Sequence, residues 1–189
     1  GVPSPDTFRR VLCSIDPSAF LDAFVEWMNG VRNVVPSLVS IDGKTLRSAA
    51  KYGEGPIHIV SAWCEQNRMI LGQVRNKAKS NESTAIPELL KVLTLPAGCV
   101  VTIDAAGTQK SIASQIRSMK ADYLLALKGN QGKLYAEVEN YFLQAEAAGK
   151  EYAPLDEYMK EEVGHGRIES RRIFATDDLE WLDLKSEWK

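Results

Sequence analysis

With 189 residues, 44% of them hydrophobic and 25% charged, the chain is long enough for one packed domain with a smaller appendage and too apolar to be disordered. No apolar run approaches the ~18–20 residues that cross a bilayer, and no signal peptide stands at the start, so a cytoplasmic protein with no membrane partner is expected. A formal charge of −2 and a pI near 5.8 exclude a uniformly basic nucleic-acid binder; any such ligand must meet a local cluster of cations. Cys13, Cys64 and Cys99 lack metal-ligand spacing and read as three small buried thiols, and two histidines are too few for a His-rich metal centre. Gly1 begins within a polar, turn-like stretch and Lys189 follows a loop-like one, so both ends read as cuts in something longer.

Residues 1–36 read as a helical lead-in. Asp6 is the expected cap of a first helix through Phe8, Val11 and Leu12. Asp16 and Pro17 open a second helix as N-cap and first helical residue, and Phe20, Leu21, Phe24, Val25 and Met28 follow at helical spacing to Gly30. The pattern then turns strand-like over 37–46, 57–65 and 69–76, the last two forming a hairpin around Gln66, Asn67 and Arg68. A helix is predicted over 82–93, with Ser80 or Asn81 as cap and Pro87 kinking it or resetting its start. The apolar run 99–105 suits a buried parallel strand, 109–120 a helix with Ile112, Ile116 and Met119 on one face, 122–128 another buried strand, and 132–148 a long helix. Three strands, helix, strand, helix, strand, helix is the order of a mixed α/β core over 37–150, with a meander first and parallel crossovers after it. Residues 151–189 are charged and alternate in β fashion (Ile168, Arg171, Ile173, Phe174), which marks a β-rich appendage.

Two of the predicted strands end almost identically, Val39-Ser40-Ile41-Asp42-Gly43 and Val101-Thr102-Ile103-Asp104-Ala105. Each places an Asp at the carboxyl end of an apolar run, where functional groups gather in open α/β sheets. An Asp after a strand is commonly a turn residue or a helix cap. If the two strands are neighbours, however, the carboxylates lie side by side and repel unless a cation sits between them. Oxygen ligands without His or Cys suit Mg²⁺ or Mn²⁺, and such a site can run two-metal phosphodiester chemistry. Rival motifs are weaker. Gly43-Lys44-Thr45 imitates the end of a P-loop, but Leu38 stands where the loop glycine belongs and no helix follows. A phosphatase with an Asp nucleophile wants a second Asp where Lys44 stands.

The strings IDGKTLR (41–47), HIVSAW (58–63), LGQ (71–73), KSNE (79–82), AIPELL (85–90), TIDAAGTQK (102–110), ADYLLALKGNQ (121–131) and GHGRIESRR (164–172) stand in this order along the chain. Together they resemble the insertion-sequence transposases related to the H-repeat proteins of Rhs elements, and the opening GVPSPDTFRRVL resembles the segment before their catalytic domain. The resemblance covers essentially the whole chain. It implies a ribonuclease-H-like fold, dependence on Mg²⁺ with Mn²⁺ as substitute, and transposition by DNA strand cleavage and joining. Transferred by position, Asp42 is the first catalytic, metal-binding carboxylate and Asp104 the second. Glu169 is a candidate third acid, yet its surroundings alternate like a strand, whereas the family's third acid sits on a helix. The favoured reading places that helix past a β-rich insertion of which 151–189 is the start. The family usually has Met and Cys where Ala106 and Thr108 stand.

The resemblance also implies DNA as partner, both transposon ends and target, and a homodimer on paired ends, in a bacterial cytoplasm. Expected DNA contacts are Lys44 and Arg47 after the first Asp, Lys77 and Lys79 before a helix, Lys128, Asn130 and Gln131 after the last core strand, and the basic cluster His165, Arg167, Arg171 and Arg172. Trp63, Trp181 and Trp188 are candidates for stacking on a flipped base. Two other functions stay open at this point. One is a catalytically inactive DNA-binding remnant of the H-repeat kind; the other is a ribonuclease-H-like nuclease without strand transfer.

Overall fold

The computed structural model describes residues 2–31, 35–46, 57–76, 82–148, 154–164, 166–183 and 188. Arg47, Lys77, Lys79 and His165, and the proposed caps Ser80 and Asn81, lie outside the described residues. The chain divides into two compact units, Gly1–Ala126 and Leu127–Lys189.

The first unit opens with α1 (Pro5–Ser14) and α2 (Pro17–Val31). Pro5 takes the first helical position, so the cap falls on Ser4, whose Oγ accepts the Thr7 N–H at 3.3 Å, and not on Asp6, which sits in the first turn. Asp16 caps α2 as expected, accepting the Ala19 N–H at 2.8 Å. No residue of α1 is buried. Cys13 is therefore exposed, against the expectation of three buried thiols, while Cys64 and Cys99 are buried. Burial, and secondarily the nearby Cys64, pushes the Cys99 thiol above its ordinary value.

Five strands follow: β1 (Leu38–Leu46), β2 (Ile57–Cys64), β3 (Met69–Asn76), β4 (Val100–Ile103) and β5 (Asp122–Leu125). They form one sheet in the order β3-β2-β1-β4-β5. β1, β2 and β3 pair antiparallel as a meander, and β4 and β5 join parallel to β1. Two helices link the parallel part, α3 (Glu82–Val92) and α4 (Lys110–Ser118). Pro87 does not interrupt α3, and its carbonyl accepts the Gln115 side chain of α4 at 3.0 Å.

Pleating decides which side chains reach the core. Val39 and Ile41 of β1, Val60 and Ala62 of β2, and Val101 and Ile103 of β4 are buried against Leu89 and Leu90 of α3 and Ile112 and Ile116 of α4. α3 lies so close over β3 that a Cβ on Gly72 would stand 3.1 Å from Leu93 and 3.4 Å from Leu89. The alternate residues belong to the opposite face, where Thr102 Oγ1 donates to Ser40 Oγ at 3.0 Å and Gln73 Nε2 to Ser61 Oγ at 2.9 Å. β5 is thus only half covered. Leu124 is 66% exposed, which corrects the expectation of a fully buried strand.

The second unit holds α5 (Gly132–Ala148) and an antiparallel ribbon of β6 (Asp156–Gly164) and β7 (Arg167–Ala175). Its small core is Tyr141 and Ala145 with Phe142, Leu155 and Trp181, and the Tyr141 and Trp181 rings stack at 4.0 Å. The ribbon is exposed on nearly every residue. Among the described residues, no helix is long and apolar enough to cross a membrane.

Candidate active site

Register brings the two carboxylates together, although Asp42 lies in the middle of β1, which runs on to Leu46, and not at its end as the apolar run implied; only Asp104 follows its strand. Ile41 of β1 is the parallel partner of Ile103 of β4, so Asp42 and Asp104 are the next residues on neighbouring strands. Adjacent strands run about 4.8 Å apart, which puts both carboxylates within reach of one ion. Ile41 and Ile103 face the core, and the pleat sends the following residues to the opposite face, where Asp42 and Asp104 are both exposed. Lys44 is exposed two residues after Asp42 and shares its face. Ser61, directly across β2 from Asp42, accepts from Gln73, so a polar row runs over three strands beside the pair.

The chain turns sharply after Asp104. A 3-10 turn spans Ala105–Gly107 with Asp104 as its cap, and Asp104 Oδ1 accepts the Ala106 N–H at 3.1 Å. That bond engages one oxygen of a carboxylate that is exposed to solvent. Gly107 is required by close packing, since a Cβ there would lie 2.4 Å from Ile103 Cγ2 and 2.5 Å from Ile86 Cδ1. The buried Thr108 hydroxyl lies 2.6 Å from the Ala126 carbonyl and 3.2 Å from the Asp104 carbonyl. A substitution at Thr108 that looks neutral in sequence therefore falls on the hydroxyl that ties the ends of β4 and β5. The sequence signal was present, a hydroxyl four residues after a strand-end Asp, but its partners are visible only in three dimensions.

The donor chemistry fits Mg²⁺. Magnesium keeps several waters and is bound through one or two carboxylates plus substrate phosphates, which two exposed aspartates with no His or Cys beside them can provide. Among the described residues, no third His, Cys, Asp or Glu completes a cluster.

Apart from Trp63, the remaining site candidates among the described residues lie in the second unit. Lys128 is exposed and precedes a 3-10 turn, Gly129–Gln131, that contains Asn130 and Gln131 and leads into α5. Glu169 stands on β7 opposite Glu162, and both carboxylates pair with Arg171, at 2.8 and 3.1 Å. Arg172 bonds Glu157 of β6 at 2.6 Å and Glu146 of α5 at 2.7 Å and covers the Phe174 ring at 4.6 Å; the Glu157 bond in particular holds its guanidinium pKa above the ordinary value. Arg167 is exposed at the start of β7. Of the tryptophans, Trp181 is stacked on Tyr141, and the Trp63 indole donates to Glu65 at 2.9 Å.

Residues 34–176 match the family described as Transposase DDE domain. The chain belongs to this DDE transposase family. It is 45% identical over its full length to the protein named "Putative transposase YncI" in Escherichia coli O157:H7, of which it spans 48%. It is 46% identical over 90% of its length to the protein of the same name in Escherichia coli (strain K12), of which it spans 68%. A third relative, "H repeat-associated putative transposase YhhI" of strain K12, is 39% identical over the full chain, which spans 50% of it, and bears out the H-repeat resemblance. The solved synaptic complex of piggyBac transposase with hairpin DNA aligns over 67% of this chain and 31% of that one at 13% identity and a TM-score of 0.43, a likeness too slight to assign a fold.

Proposed function

We propose that this DDE-family chain carries the metal-binding part of a DNA transposase that cuts insertion-sequence ends and joins them to target DNA, with Asp42 and Asp104 holding Mg²⁺. The observation that supports this most is the parallel register of Ile41 with Ile103, which sets the two aspartates side by side on the exposed face of the sheet. The strand order β3-β2-β1-β4-β5, antiparallel and then parallel, supports a ribonuclease-H-like core. Functionally we divide the chain into a lead-in over 1–36, that core over 37–150 and the start of a β-rich insertion over 151–189; the family match beginning at residue 34 supports the first boundary.

The chemistry is two displacements at phosphorus. Water attacks the scissile phosphodiester at the transposon end, the bond from phosphorus to the 3′ oxygen breaks, and a 3′ hydroxyl and a 5′ phosphate remain. That 3′ hydroxyl then attacks a target phosphodiester in line and displaces the target's own 3′ oxygen. Asp42 and Asp104 would hold the Mg²⁺, which when bound would lower the pKa of the attacking group and stabilise charge on the leaving oxygen. Lys44, on their face, offers a cation to the phosphate.

Glu169 is not a ligand in this reading: it lies on a strand and is engaged by Arg171. The third acid comes from the part of the relatives' length that this chain does not span. Lys128, Asn130, Gln131 and Arg167, with Arg47, Lys79 and His165, complete the proposed DNA contacts. Arg171 and Arg172 are each already paired with two carboxylates, which reduces the positive charge they offer a phosphate. A dimer on paired ends and a bacterial cytoplasmic setting belong to the same proposal.

A Mn²⁺ soak of crystals tests the site, with an anomalous peak between Asp42 and Asp104 expected; carboxylates turned apart would overturn it. The lack of a third acidic ligand among the described residues keeps an inactive DNA-binding remnant as the second reading. Metal-independent binding of end DNA, with no cleavage by the complete protein, would decide for the remnant. Cleavage without joining of a precut end would instead show a nuclease.

A further inference from the structure

We propose that Thr108 positions Asp104 for metal binding, a role that rests on the reading of Asp42 and Asp104 as the ligand pair. Among the described residues Thr108 is the buried polar side chain, 2% exposed. A buried hydroxyl is costly unless it is bonded, and this one spans two elements. Its oxygen is 2.6 Å from the carbonyl of Ala126, just past β5, and 3.2 Å from the carbonyl of Asp104, just past β4. A hydroxyl has one proton to donate, so the short contact to Ala126 takes the larger share and Asp104 the weaker branch. A backbone bond from Ala126 N–H to Ile103 O at 3.1 Å lies alongside. Together they fasten the carboxyl end of β4 to that of β5 on the side of Asp104 away from β1.

The rest of the turn is braced from within. Asp104 Oδ1 accepts the Ala106 N–H, the Gly107 N–H reaches the Asp104 carbonyl at 3.2 Å, and Gly107 is wedged between Ile103 and Ile86. These contacts fix the shape of the turn. The Thr108 hydroxyl adds the hydrogen-bonded tie from the turn to the end of β5, and so helps set where the Asp104 carboxylate stands relative to Asp42. An error of about 1 Å in such a constellation is enough to cost on the order of a hundredfold in function. Thr108 touches no reacting atom and acts through Asp104.

The test compares Thr108→Val, which keeps the shape and loses the donor, with Thr108→Ser, which keeps the donor, and Thr108→Cys, which keeps a weak one. Mn²⁺ is titrated into each ¹⁵N-labelled protein, with broadening of the Asp42 and Asp104 resonances as the affinity readout and exchange of the Ala106 amide as the readout of the turn. The expected result is about tenfold weaker Mn²⁺ binding and about tenfold faster Ala106 exchange in Thr108→Val, near-complete rescue in Thr108→Ser, and unchanged protection of Val101 and Ile103. Wild-type affinity in a folded Thr108→Val would overturn the role of Thr108 while leaving the ligand pair standing. If the wild type itself shows no Mn²⁺ broadening at the two aspartates, the ligand pair falls and Thr108's role falls with it. Should Thr108→Val not fold, Thr108→Cys decides: weaker binding than Thr108→Ser supports the proposal, and equal binding overturns it.

Discussion

The neighbouring strands β1 and β4 and the β6–β7 ribbon both carry acidic residues, Asp42 within β1 and Asp104 just past β4 in the first case, and they treat them in opposite ways. Asp42 and Asp104 stand on a sheet whose other face packs at β1 and β4 against α3 and α4, and among the described residues no ion pair neutralises either. Glu162 and Glu169 stand on a ribbon with almost no buried side chain, and one guanidinium answers both. The core-backed strands can hold two like charges in fixed positions because packing, not charge, determines where they stand. A two-stranded ribbon is marginal by itself and depends on cross-strand pairs and on its tie to α5. Carboxylates left unneutralised on a rigid frame suit a metal; carboxylates consumed by arginines suit a scaffold.

The largest expected effect breaks this comparison directly. In the complete protein, Asp104→Asn removes a ligand charge from the rigid pair and should lower cleavage of end DNA by about 10³-fold, because metal stabilisation of the transition state is worth several kcal/mol. Glu169→Gln should leave cleavage within about threefold, since that carboxylate serves Arg171. Cleavage assays on the two purified variants settle the matter. Equal and large losses would make the ribbon part of the catalytic site and abolish the distinction.

A smaller effect, on stability, is expected at the turn. Gly107→Ala introduces a Cβ 2.4 Å from Ile103 and 2.5 Å from Ile86, both core side chains with little room to retreat. Overpacking of this kind costs about 1–3 kcal/mol. Urea unfolding should show it as a lower midpoint with an unchanged slope. The matching change in the ribbon, Gly164→Ala, meets no atom within 4 Å and should shift the midpoint far less. Equal shifts would mean that the turn yields as easily as the ribbon.

The same contrast explains what could be read from the sequence. Core-backed elements announce themselves through their apolar pattern: the strand-like stretch around Ile41, the apolar run around Ile103 and the helical spacing of Ile112 and Ile116 predict β1, β4 and α4, which the structure contains. What singles out the two aspartates in the sequence is repetition, since one Asp after an apolar run is an ordinary turn or cap residue and the same pattern stands twice. Which strands are neighbours was not legible, since the pairing of β1 with β4 joins residues some sixty positions apart in the chain. One-sided coverage was equally hidden: Leu124 looks like a core residue, and only the placement of α3 and α4 shows that its face is open. Cys13 misled for a similar reason, because α1 is amphipathic yet buries nothing. The arginines of the ribbon read as a DNA-binding cluster because sequence shows cations at 171 and 172 but not the glutamates brought opposite them from β6 and α5.

The smallest effect concerns that last pairing. Arg172→Met keeps an apolar stem over Phe174 but removes both ion pairs, to Glu146 and Glu157. Arg172 is 46% exposed, so solvent screens the pairs and the loss of global stability should be small. It should also be local. Amide exchange in β6 and β7 should quicken about three- to fivefold in the variant, high salt should move the wild type part of the way towards it, and exchange in β1 and β4 should stay as it was. If β1 and β4 amides quicken equally, the ribbon and the sheet share one cooperative unit, and the rigidity attributed to the Asp42–Asp104 pair depends on Arg172 as well as on its own core.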